Sequence, residues 1–352
     1  MKHNFYAGPS ILPQSVYKQA QEAIENFAGT GVSLLSISHR SKEFSAVMER
    51  ARALVKELLK LDDDFEVLFL QGGASMQFLQ IPYNLMRSKS AYLDTGTWAF
   101  KAAKEARYFG EVDVVASSKD KKYTYIPKMY QIPEDADYFH ITTNNTIYGT
   151  QMHAIPDSPV PIVADMSSDI FSREMDFNRF GLIYAGAQKN MGPAGTVMVA
   201  VRKSLLGRTG RDIPTMMNYQ THIDKASMFN TPPVFAVYGS MLTMEWVKNK
   251  GGLKAMEKIN DEKSRLLYDE LDRNPLFITH VAKEDRSKMN VTFDLKDDSL
   301  KERFDNMWKE AGIVGLKGHR SVGGYRASLY NALPLESVRV LVDVMKELER
   351  TA

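Results

Sequence analysis

Phe65-Glu66-Val67-Leu68-Phe69-Leu70, followed by Gln71-Gly72-Gly73-Ala74-Ser75, is the stretch that decides the fold. A short apolar run stopped by a Gly-Gly turn reads as a buried strand, and a helix carrying Phe78, Leu79 and Leu85 is expected to begin near Ser75. Upstream, Phe44, Val47, Met48, Ala51, Leu54, Val55, Leu58 and Leu59 recur at helical spacing and mark an amphipathic helix. Downstream, strand-like Ala91 to Asp94, helical Trp98 to Tyr108 and strand-like Val112 to Ala116 continue the alternation. Further strands are expected at Tyr138 to Thr142, Pro161 to Asp165, Leu182 to Ala185 and Thr196 to Val201. Strands interleaved with helices predict an α/β fold with a mainly parallel, mixed sheet flanked by helices.

Past Tyr238 the pattern changes. Helical Val237 to Lys248 leads to Gly251-Gly252, then to a charged helix from Lys254 to Arg273. Strand-like Met289 to Leu295, helical Leu300 to Ala311, strand-like Ile313 to Leu316 and Arg326 to Tyr330, and helical Leu335 to Glu349 follow. This predicts a smaller α+β C-terminal domain. The expected division is 15–250 for the large domain and 251–352 for the small one, with segment 1–14 packing against the small domain and the active site.

The chain of 352 residues carries 45 Lys+Arg against 43 Asp+Glu, a formal net charge of +2, and no cysteine. The charge balance supplies no global field for nucleic acid or an anionic membrane. Lack of cysteine excludes disulfides, thiolate metal sites and thiol nucleophiles. No run of ~18 apolar residues occurs, and Met1 to Pro9 shows no secretory pattern, so a cytoplasmic protein is expected.

In open α/β sheets ligands bind beyond the carboxyl ends of the strands. Three such ends stand out. At Gly72-Gly73-Ala74-Ser75 the glycines and the helix N-terminus could hold an anion, although such a turn alone is more often plain geometry. Asp165 closes an apolar strand and is a helix cap, a charge partner for a cofactor or, least in keeping with its neighbours, a metal ligand. Lys189 lies among small residues between two apolar strands, where a solvated lysine has little reason to be. A desolvated lysine has a lowered pKa and is a nucleophile toward carbonyls. A Schiff-base lysine, an aspartate for a pyridinium nitrogen, a phosphate-binding turn and a stacking aromatic such as Trp98 together describe pyridoxal phosphate.

At this level the sequence resembles the phosphoserine aminotransferases, class V pyridoxal-phosphate enzymes of fold type I. The resemblance spans essentially the whole chain. It rests on Ala7-Gly8-Pro9, Ser38 to Phe44, the Gly72 turn, Tyr184 to Asn190, Ser227 to Pro233, Lys317-Gly318-His319-Arg320 and Gly323 to Ser328. It implies that Lys189 carries the cofactor and shuttles the substrate proton, and that Asp165 pairs with the pyridine nitrogen. Trp98 is then the stacking partner, and Thr146 and Gln188 bond the ring. The phosphate falls to Ala74 and Ser75, with Asn230 and Thr231 reaching the neighbouring subunit's cofactor in a homodimer.

The family exchanges an amino group between L-glutamate and 3-phosphohydroxypyruvate, giving O-phospho-L-serine and 2-oxoglutarate. Each amino acid presents an α-carboxylate and a second anion, for which arginine forks suit both carboxylate and phosphate. The resemblance assigns Arg326 to the α-carboxylate and His39, Arg40, His319 and Arg320 to the second anion. The vitamin B6 intermediate 4-phosphohydroxy-L-threonine stays open as a further substrate. The doubled His-Arg pairs argue against an alanine–glyoxylate or serine–pyruvate transaminase, and the missing cysteine argues against a desulfurase. Some relatives carry serine where Ala7 stands, which leaves only backbone groups for that contact.

Overall fold

The computed structural model describes residues 2–352. The chain opens with β1 (His3–Asn4), α1 (Gln14–Glu25) and α2 (Lys42–Leu59), whose first turn is capped by the Ser41 hydroxyl accepting from Phe44 N. The alternating region then runs β2 (Phe65–Leu70), α3 (Gly73–Leu85), β3 (Lys89–Asp94), α4 (Thr97–Ala106), β4 (Glu111–Ser117) and β5 (Phe139–Thr142). The two-residue strands β6 (Asn144–Asn145) and β7 (Thr150–Gln151) follow, then β8 (Ile162–Asp165), β9 (Phe180–Gly186) and β10 (Val197–Arg202). After α5 (Tyr219–Asp224) and α6 (Val234–Asn249) come α7 (Gly252–Arg273), β11 (Phe277–Ile278), β12 (Asn290–Leu295), α8 (Lys301–Glu310), β13 (Ile313–Val314), β14 (Tyr325–Ser328) and α9 (Leu335–Thr351).

Seven strands form the main sheet in the order β2-β10-β9-β8-β5-β3-β4. The pairings from β9 to β4 are parallel, while β10 runs antiparallel to both β9 and β2, so the expected mixed sheet is what forms. Its faces are separately cored. Along β9, Leu182 and Tyr184 join Phe78, Ile81 and Leu85 of α3, whereas Ile183 and Ala185 join Val47, Leu54 and Leu58 of α2. A strand buried on both sides needs apolar residues at successive positions, and all of Phe180–Gly186 is buried. β5, β8 and β9 therefore deliver their carboxyl ends, Thr142, Asp165 and Gly186, to one edge of the sheet.

A second core gathers Leu267 and Leu271 of α7, Phe277, Val291, Phe293, Phe304, Tyr325, Leu341 and Met345 around the antiparallel sheet β11-β12-β14. Phe5 is part of that core, and β1 pairs in parallel with β13 through His3–Ile313 and Asn4–Val314. Helix α7 serves both cores, with Leu253 and Met256 packed on the first and Leu267 and Leu271 on the second.

Candidate active site

β9 ends at Gly186, and the turn that follows carries Lys189 over the carboxyl edge of the sheet. Its Nζ donates to Thr146 Oγ1 at 2.7 Å, and Thr146 stands in the loop between β6 and β7. Lys189 keeps a window to solvent, yet protein surrounds its amine. Burial lowers the amine to about 8, against the opposing pull of Asp165 and with help from the Arg326 charge. The N-terminal arm crosses the lysine stem. Ser10 N donates to Gln188 O at 2.9 Å, and the Ser10 hydroxyl donates to Lys189 O. Gly8 has φ +135, and a Cβ there would stand 3.3 Å from Lys189 Cγ, so the arm needs glycine to lie this close.

Asp165 is buried at the end of β8, and its Oδ1 accepts from Ser167 N at 2.9 Å. No helix follows β8, so that bond caps a turn rather than the expected helix, and the carboxylate also lies near enough to Lys189 to influence its amine. Among the described residues no cluster of His, Asp and Glu fit to hold a metal occurs. Tyr184, fully buried on β9, meets His140 Nε2 through its hydroxyl at 2.9 Å.

Trp98 is in the first turn of α4, half-buried, with Nε1 buried and unpartnered and Lys101 Nζ 4.9 Å from the ring centroid. At the start of α3, Gly72 and Gly73 have φ +83 and +63, and a Cβ on Gly72 would come within 2.6 Å of Met76 Cβ. The turn thus demands glycine, and it leaves Ala74 and Ser75 in the first helical turn, where free N–H groups favour an anion. Asn230 Nδ2 donates to Gln71 Oε1 at 3.3 Å and Gln71 Nε2 donates to Thr231 O at 2.6 Å, so this segment lies beside the same turn within one chain.

Arg326, on β14, donates from Nη1 to Thr146 O at 3.2 Å and lines a cavity of about 400 Å³ together with His319. His319 is lowered first by burial and then by Arg326, Arg320 and Lys101, so three cationic side chains act on a neutral imidazole at one end of the site. The structure therefore brings together Lys189, Thr146, Asp165, Arg326, His319 and Arg320. It does not bring His39 and Arg40 to them: both precede α2, Arg40 is exposed, and buried His39 Nε2 has no partner. Ala7 contributes its carbonyl, which accepts from Tyr330 OH at 2.8 Å.

Sequence reasoning gave no role to Lys101, Asn190 or Tyr330. Lys101 was findable, since it follows Trp98 by one helical turn. Asn190 Oδ1 accepts from Asn331 N at 2.9 Å, a long-range bond that no local pattern reveals.

The chain is 62% identical to a phosphoserine aminotransferase of Flavobacterium johnsoniae over 351 residues, covering 99% of both. It superposes on a solved phosphoserine aminotransferase from Bacillus circulans subsp. alkalophilus with TM-score 0.96 at 42% identity, covering 100% of this chain and 99% of that one. With the pyridoxal-phosphate-bound phosphoserine aminotransferase of Trichomonas vaginalis the TM-score is 0.94 at 37% identity, covering 98% and 100%. The family model described as aminotransferase class-V matches residues 2–341, and the chain belongs to that family.

Proposed function

We propose that this chain transfers an amino group between L-glutamate and 3-phosphohydroxypyruvate with pyridoxal phosphate as cofactor, giving O-phospho-L-serine and 2-oxoglutarate. The observation that carries the reading is the Lys189 amine, lowered to about 8 and held by Thr146 between a buried aspartate and an arginine fork. The full-length identity to enzymes of that name supports the choice of substrates.

The residues present fit the cofactor. Lys189 is the amine to which it attaches, and Asp165 is the buried anion for its ring nitrogen. The half-buried Trp98 ring offers the stacking surface, and Thr146 and Gln188 would bond the cofactor ring. The Gly72 turn with Ala74 and Ser75 offers N–H donors for its phosphate. When bound, the cofactor supplies an electron sink that lets the substrate α-proton leave. Lys189 Nζ takes and returns that proton, a task suited to an amine whose pKa sits near neutrality. Arg326 binds the α-carboxylate bidentately, and Thr146 O fixes the plane of its guanidinium. His319 and Arg320 receive the distal carboxylate or phosphate, and His39 and Arg40, which lie apart from them within one chain, would complete that anion pocket from the second subunit of a homodimer.

We infer a cytoplasmic homodimer in which Asn230 and Thr231 of one subunit serve the cofactor of the other. In support, apolar Leu35, Met76 and Phe229 are exposed close in sequence to His39, the Gly72 turn and Asn230. Among the described residues no helix is long and apolar enough to cross a membrane. In this reading residues 15–250 are the cofactor-holding domain, and residues 251–352 with the N-terminal arm are the small one. 4-Phosphohydroxy-L-threonine presents the same pair of anions and is a second substrate to assay.

The test is a spectrum of the purified holoenzyme. Glutamate shifts the cofactor absorption band, and 3-phosphohydroxypyruvate restores it. A band indifferent to glutamate refutes the activity.

A further inference from the structure

Lys263 is fully buried in the middle of α7, and its Nζ donates to Leu329 O at 2.9 Å and Tyr330 O at 2.8 Å. Burial alone lowers it, to about 7, with no carboxylate contributing. Burying an amine without a counter-ion is costly, and an apolar side chain of similar length would avoid that cost. What the amine holds explains its presence. Leu329 and Tyr330 directly follow β14 and are buried, and a buried carbonyl without a donor is itself destabilising.

That turn closes a ring of contacts around the site. Lys189 Nζ bonds Thr146 Oγ1, and Thr146 O accepts from Arg326. From Arg326 the chain runs five peptide bonds to Asn331, whose N–H returns to Asn190 Oδ1, next to Lys189. Asn331 Nδ2 also reaches Phe171 O at 2.9 Å, and its Oδ1 accepts from Asn260 Nδ2 at 2.8 Å. Asn260 and Lys263 lie one helical turn apart on α7, so a single face of that helix grips the turn. Tyr330 OH ties the same turn to the N-terminal arm at Ala7 O.

We propose that Lys263 is a positioning residue: by holding the carbonyls of Leu329 and Tyr330 it fixes the Arg326 guanidinium at its working distance from Lys189. This rests on the reading of Arg326 as the α-carboxylate fork. Lys263 touches neither substrate nor cofactor, and it acts through the strand it clamps.

The test substitutes Lys263→Met in the holoenzyme, replacing the amine by an apolar side chain of similar length. Binding of 2-oxoglutarate is followed by tryptophan fluorescence, and KM and kcat for glutamate are measured alongside. The expected result is 2-oxoglutarate affinity and glutamate KM each worse by about tenfold, kcat within about threefold and the cofactor band in place. A lower melting temperature with unchanged affinity and KM would mean that Lys263 only stabilises the fold and would overturn the proposal. If the Met variant does not fold, Lys263→Gln decides on the same criterion, since its amide keeps two donors on a shorter reach: weakened 2-oxoglutarate binding supports the clamp, and wild-type binding overturns it. Wild-type holoenzyme that binds 2-oxoglutarate but leaves glutamate unconverted would sink the activity alone.

Discussion

Two lysines stripped of water do opposite jobs in this molecule. Lys189, on the turn after β9, and Lys263, in the middle of α7, are lowered by burial to about 8 and about 7. The desolvation is shared; the partners differ. Lys189 meets one hydroxyl and keeps a window to solvent, so its amine can leave Thr146 and reach a ligand. Lys263 has no exposed surface, and two main-chain carbonyls occupy it. A depressed amine is thus a nucleophile only where its lone pair has somewhere to go. In α7 the same chemistry becomes a fastener.

The contrast is broken most directly at Lys189. Lys189→Ala is expected to lower turnover by ~10⁴-fold or more and to abolish the absorption band of covalently held cofactor, whereas Lys263→Met keeps the band. Retention of that band in Lys189→Ala would show that another amine holds the cofactor.

The second effect is on stability, and its sign is fixed by linkage. With a folded value of about 7 and an ordinary value of 10.5, the unfolded chain holds more protons at Lys263 across that interval. The penalty is full below the folded value and fades as pH rises toward the unfolded one. Denaturant titrations should therefore show wild type gaining ~3 kcal/mol relative to Lys263→Met between about pH 7 and about pH 9.5. A difference that stays flat with pH would mean that Lys263 is protonated throughout.

Arg326→Lys keeps the charge but loses the fork. We expect kcat/KM for glutamate to fall by ~30- to 100-fold, with the cofactor band intact. Equal activity in this variant would place the α-carboxylate elsewhere. The smallest effect is expected for Thr146→Val, which preserves shape and removes the hydroxyl on Lys189. A loss of ~10-fold in kcat/KM is expected, in line with one hydrogen bond, and no loss would reduce Thr146 to packing.

The same two lysines show what the amino-acid order reveals. Lys189 could be singled out because it interrupts apolar strands with small residues around it, and Asp165 because it ends one. The inner strands of the main sheet match their expected spans closely because a doubly buried strand is largely apolar, whereas edge strand β4 has no buried residue. Their order, and the antiparallel course of β10, are set by pairing at long range and leave no local trace. Short β6 and β7 were missed: Asn144, Asn145, Thr150 and Gln151 are polar, and they are buried because each finds side-chain partners. Helix α1 escaped too, its buried stripe being only Val16, Ala20 and Ala23.

Lys263 hid in the charged run Asp261-Glu262-Lys263-Ser264-Arg265, which reads as a solvated face. Yet Met256, Asn260, Lys263, Leu267 and Leu271 are all buried and recur at helical spacing. The period was there, masked by composition.

The pairing of β1 with β13 also has a consequence for synthesis. His3 Nδ1 meets Ser337 Oγ at 3.0 Å across a separation of 334 residues. A ribosome makes the amino end first, and domains tend to fold as they emerge. The main sheet can assemble while the first residues still lack their partner strand, because Ile313 and Val314 come from near the end of translation. Ser10 has its partners Gln188 and Lys189 much earlier, but the strand that anchors the start of the arm comes last. A nascent or truncated chain would therefore hold the cover over its lysine by the Ser10 contacts without the anchoring strand pair.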